Sequence, residues 1–138
     1  MRIHTIAVGF ILAGLLTGAL ALAQDKPKGA RIVGAELTKM YEIPVMADGF
    51  NHVSGASFTQ VLLRGGVVNA VYANRLGNGG HIEGKWRLVN DTVCLTFPQG
   101  FPPTEQCTQI YKLDDGSYQG WGVEDGNVRS SFRVRHPQ

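Results

Sequence analysis

Few side chains in this sequence could do chemistry. Three histidines follow the apolar N-terminal leader (His52, His81 and His136), together with two cysteines, Cys94 and Cys107. A metal centre needs three or four converging ligands, and none of these residues stands at a recurrent ligand spacing. His81 and Glu83 lie two apart on a predicted strand and so share a face, with His52 as the third group that could join them. The three are weak metal candidates beside the plainer reading of a solvated strand face of mixed charge. Ser54, Ser57, Ser130 and Ser131 lack the Gly-x-Ser-x-Gly elbow of a nucleophilic serine. The carboxylate pairs Asp114-Asp115 and Glu124-Asp125 fall in predicted turns, where bonds to nearby backbone account for them. The sequence therefore predicts no catalytic residues and no cofactor.

The cysteines belong to structure. From His81 to Val89 residues alternate, with Ile82, Gly84, Trp86 and Leu88 facing one way and His81, Glu83, Lys85 and Arg87 the other. This period of two marks a half-buried strand. Asn90-Asp91 supplies a tight turn, Thr92–Phe97 a second strand, and the segment around Cys107–Tyr111 a third. Cys94 and Cys107 fall on the more polar faces of these neighbouring strands, close enough in an antiparallel pair to be joined. Closing a loop of about 14 residues this way contributes roughly 3 kcal/mol.

The compartment follows from the first residues. Arg2, an uncharged apolar run from Ile6 to Leu20 and Ala21-Leu22-Ala23 before Gln24 fit a signal peptide over residues 1–23. The apolar run is short for a membrane span, and no anchor is expected after cleavage. Residues 24–30 read as a flexible leader and 31–138 as one β domain, periplasmic or secreted, where a disulfide persists. Beyond residue 23 stand 12 Lys and Arg against 11 Asp and Glu, a balance that gives no case for nucleic acid as a partner.

The remaining elements must position whatever site exists. Ala35–Tyr41 is the one predicted helix, stopped by Pro44. Strands are expected weakly over Phe50–Val53 and more clearly over Ser57–Arg64, Val67–Tyr72, Ser117–Val123 and Val128–Arg135. Turns rich in glycine, asparagine and aspartate separate them. The expected fold is mainly β, a small antiparallel meander that is barrel-like or strongly curved, with one short N-terminal helix. A β-sandwich is the alternative.

The run Gly-Lys-Trp-Arg-Leu, a turn, Asp-Thr-Val-Cys-Leu, a loop and Cys-Thr-Gln-Ile-Tyr resembles a family of small secreted, mostly alphaproteobacterial proteins of uncharacterised function. Gly84, Trp86, Cys94, Cys107 and Tyr111 carry the resemblance. It implies a periplasmic or secreted protein and supplies no activity.

Binding is then the expected function, with two sets of candidate residues. Trp86, Trp121, Tyr111 and Phe101 could line a site for a small molecule or envelope component, as aromatic side chains commonly do. Arg129, Arg133 and Arg135 alternate on the last strand and could form a basic ridge for a protein partner, though exposed strands also carry such charges against aggregation.

Overall fold

The computed structural model describes residues 27–42, 44–98 and 104–136. Predictions that fall elsewhere, including the signal peptide, residues 24–26 of the leader and Phe101, lie outside the described residues. The elements in chain order are β1 (Ala30–Arg31), α1 (Gly34–Met40), β2 (Val45–Asn51), β3 (Ala56–Leu63), β4 (Val67–Ala73), β5 (Gly79–Val89), β6 (Thr92–Thr96), β7 (Gln106–Lys112), β8 (Tyr118–Gly122) and β9 (Val128–Arg135).

Strands β2 to β9 pair each with the next, all antiparallel, and β9 returns to pair with β2. That last pairing closes an eight-stranded up-and-down barrel and leaves no sandwich edge. One seam is thin, because β6 meets β7 over only three register pairs, Val93↔Thr108, Cys94↔Cys107 and Leu95↔Gln106. Two devices secure it. The Cys94–Cys107 disulfide bridges the opposed pair across a Cα separation of 4.0 Å. Further along the same edge of β7, β1 pairs Ala30 with Lys112 and Arg31 with Tyr111, and the Ile32 N–H donates to the Ile110 carbonyl at 2.9 Å.

Register shows how the interior is filled. Cross-strand partners run Tyr118, Phe132, Gly49, Phe58, Tyr72 and Gly80 through five consecutive pairings. Glycine alternates with aromatic groups here for a steric reason. A Cβ on Gly49 would stand 2.6 Å from Phe132 Cβ and 2.8 Å from Phe58 Cζ, so the rings occupy the space a side chain would need. The Tyr118 and Phe132 rings stack with centroids 5.7 Å apart. This explains why β2 starts at Val45 and not near Phe50. Asp48-Gly49 reads as a turn, yet Gly49 admits the rings, while Asp48 faces outward and accepts the Thr59 hydroxyl at 2.7 Å.

The two ends of the barrel differ. At the end where β2 begins, the Gly34 N–H donates to Asp91 Oδ1 at 2.7 Å, fastening α1 to the Asn90-Asp91 turn. The helix lays Leu37 and Tyr41 onto Val45, Leu62, Val68, Val93, Ile110 and Phe132. Burial pushes the Tyr41 hydroxyl well above its ordinary value, so it stays neutral. Among the described residues no helix covers the other end, where the turns between β2 and β3, β4 and β5, and β8 and β9 lie.

Candidate binding rim

The exposed apolar groups concentrate at that uncovered end. Six large apolar or aromatic side chains stand exposed among the described residues. Four of them, Val53, Tyr72, Leu76 and Val123, lie at or beside its turns; Val33 lies at the helix end and Val71 on the outer wall. Val53 is 70% exposed and Leu76 85%, and the two stand on turns that line one cleft, so they are not isolated surface groups.

Both residues are held in place by the same local device. Asn51 Oδ1 accepts the Val53 and Ser54 N–H groups at 2.9 and 3.0 Å, and Gly55 closes the turn with φ of +70°. Asn74 Oδ1 accepts the Leu76 and Asn78 N–H groups, each at 3.0 Å, and Gly77 has φ of +79°. An asparagine side chain satisfying two backbone donors fixes a turn without help from the core. The two turns even share an order of residue types: Asn51-His52-Val53 and Asn74-Arg75-Leu76 each run amide, nitrogen base, branched aliphatic.

Between them lies an open cleft of about 440 Å³, lined by His52 to Gly55 and Asn74 to Leu76. The His52 ring is located from three sides. Its Nε2 lies 2.8 Å from the Ser131 hydroxyl, its ring meets Phe50 edge-on at 5.3 Å, and its backbone N–H donates to the Arg129 carbonyl at 2.8 Å.

The predicted site residues fall in several places. His81 and Glu83 do share the outer face of β5, opposite Val71 and Asn69, while His52 belongs to the rim. The three do not converge. Among the described residues, ligand-type groups gather only at Cys94, Glu105 and Cys107, where both sulfurs are already in the disulfide.

Trp86 faces the interior, donates from Nε1 to the Leu63 carbonyl at 2.8 Å and stands 5.6 Å from the Tyr41 ring. Trp121 lies on the opposite face of the wall, in register with Gln109, and meets Tyr111 edge-on at 6.4 Å. Though outward by register, Trp121 is only 7% exposed, with Nε1 bonded to Gln119 Oε1 at 3.2 Å. Trp86 and the Trp121–Tyr111 pair are therefore on two sides of the sheet and do not face one pocket.

The three arginines of β9 are each matched to a carboxylate. Arg129 pairs with Asp125 at 3.0 Å, Arg133 with Asp115 at 3.3 Å, and the Arg135 Nε with Asp48 Oδ2 at 2.6 Å. A register shift opposite Gly120 and Trp121 also interrupts the alternation, and Arg129 folds over Gly122. The ridge read from the sequence is a row of ion pairs. Arg87 is likewise taken by Glu105, with Nε to Oε2 at 2.7 Å, and this bond holds the Glu105 carboxyl below its usual range.

Val53, Arg75 and Leu76 belong to no motif of the sequence and are not among its candidate site residues. The repeated amide–base–aliphatic order was the available signal, visible only once both segments are taken as turns at one end of a barrel. Comparison with family models, with curated proteins and with solved structures returns no match to this chain.

Proposed function

We propose that this chain is an exported, non-catalytic binding protein that engages an envelope protein through the rim formed by the Asn51–Gly55 and Asn74–Asn78 turns. The observation that carries this reading is the pinned exposure of Val53 and Leu76 on the two turns that line one open cleft. Apolar groups already fixed in rigid turns lose little conformational entropy on docking, which favours association. The continuous aromatic–glycine packing across the barrel argues for a surface site over a ligand enclosed in the interior. The Cys94–Cys107 disulfide fits an oxidising compartment, and the leader sequence supports delivery there.

Site-specific photo-crosslinking in intact cells tests the proposal. A crosslinker at position 76 should give a discrete adduct that weakens when Val53 is changed to Lys. One at position 114, in the exposed turn at the helix end, should give none. Equal adducts at both positions, or none at 76, would remove the rim from consideration.

A further inference from the structure

Resting on that reading, we infer that the rim cleft recognises the C-terminus of a polypeptide, taking the terminal carboxylate on Arg75 and the last, apolar side chain between Val53 and Leu76. Position and charge together mark Arg75. Arg87, Arg129, Arg133 and Arg135 each hold a carboxylate of this chain, whereas Arg31, Arg64 and Arg75 pair with none among the described residues, and of these three Arg75 is the one that lines the cleft. Its guanidinium lies across the cleft toward Gly55, with Nε 4.0 Å from where a Cβ on that glycine would stand, so the absent side chain leaves room there. A planar guanidinium offers two parallel donors to a carboxylate, a geometry that an amide or an ester cannot match.

The other contacts complete the fit. His52 carries a second ring nitrogen beyond the one engaged with Ser131, and Val53 and Leu76 flank the cation with apolar surface. A carboxylate directly beside an apolar side chain is the chemistry of a chain terminus. A fatty acid shares the carboxylate but needs a long apolar channel. The cleft is short and open, and the barrel behind it is occupied by Phe58 and Phe132.

The test is an NMR titration of ¹⁵N-labelled mature protein with N-acetyl-Gly-Ser-Leu as the free acid and as the C-terminal amide. The acid should shift the amides of Val53, Ser54, Arg75 and Leu76 saturably, and the amide should bind roughly tenfold more weakly. Arg75→Gln should bring the two affinities together, and Arg75→Lys, which keeps charge without the fork, should fall between. Lys85→Gln on the outer wall should leave the preference intact. Equal binding of acid and amide, shifts centred on Arg133 and Arg135, or no shifts at all would overturn the inference. In each of those cases the crosslink at position 76 decides separately whether the rim reading survives.

Discussion

The two ends of this barrel are made from the same material and put to opposite uses. Each carries a leucine on a short segment whose backbone is fixed by a side-chain oxygen. Leu37, on α1, is 2% exposed and packs on the barrel core, and Leu76, in the β4–β5 turn, is 85% exposed and packs on nothing comparable. At the helix end an aspartate, Asp91, accepts a backbone N–H so that a segment can be folded inward. At the rim two asparagines accept backbone N–H groups so that Val53 and Leu76 are held outward. A side-chain oxygen fixes backbone at both ends, from 57 residues away at Asp91 and from within the turn at Asn51 and Asn74. What differs is the covering element, which among the described residues stands only at the helix end.

The largest expected effect tests this contrast with one substitution made twice. Leu37→Ala should cost about 3 kcal/mol in chemical denaturation, the usual cost of emptying a buried leucine site. Leu76→Ala should change stability by less than about 0.5 kcal/mol, as at a surface position, while weakening a crosslink from a probe placed at position 54 on the same cleft. A large loss of stability from Leu76→Ala would mean that this residue is structural and the rim is not a free surface.

The seam between the ends comes next. Replacing Cys94 and Cys107 together by serine should destabilise the fold by roughly 3 kcal/mol, from the closed loop of about 14 residues. Hydrogen exchange should quicken first in β6 and β7, whose ladder has only three pairs. Uniform exchange across the barrel would show that β1 alone secures that edge.

A smaller effect concerns the rim's rigidity. Asn51→Ala and Asn74→Ala each remove an acceptor for two backbone donors, and each should cost about 1 kcal/mol. The loss should appear as faster exchange at Val53 and Ser54, or at Leu76 and Asn78, with the core unchanged. If binding tightens in these variants, a stiff rim is not what the partner uses.

These contrasts also mark how far the sequence could be read. The stretch from Gly84 to Tyr111 was legible because its constraints are local. Alternation placed Trp86 inward and the cysteines outward, and Asn90 and Asp91 take the positive φ values of 47° and 59° that their turn requires. The helix, expected over Ala35–Tyr41, runs Gly34–Met40. What stayed hidden depended on closure. Asp48-Gly49 looks like a turn until Phe58 and Phe132 are seen to need the glycine. Arg129, Arg133 and Arg135 look like one ridge although Asp125 stands only four residues from Arg129, and the closing β2–β9 pairing is what brings Asp48 to Arg135. Of the rim, the Asn74–Gly80 turn is legible, whereas His52 and Val53 read as the end of a weak strand over Phe50–Val53 and instead follow the end of β2 at Asn51. The meeting of the two turns across a cleft follows from the hairpins being neighbours in the closed barrel.

The smallest expected effect separates a structural arginine from a free one. Arg135 and Thr59 both bond Asp48, and the Thr59 hydroxyl, followed by the Arg135 guanidinium, holds the Asp48 carboxyl below its ordinary value. A depressed folded-state pKa means the unfolded chain binds the proton more readily. The stability from this group is therefore complete above the ordinary carboxylate value, about 4, and is lost as pH falls through the lower folded value. With 36% of the Asp48 side chain and 63% of the Arg135 side chain exposed, solvent screening keeps the pair's worth to roughly 0.2–1 kcal/mol. Urea midpoints measured from pH 6 down to pH 2 should fall less steeply for Asp48→Asn than for the unchanged protein. Arg135→Gln should act in the same direction and more weakly, because Thr59 still favours the ionised carboxyl. Arg75→Gln should leave the acid limb where it was, since no carboxylate of the described chain relies on that guanidinium. An acid limb that moves with Arg75 would reveal an internal partner for it, and the rim would then be as closed electrostatically as the helix end is by packing.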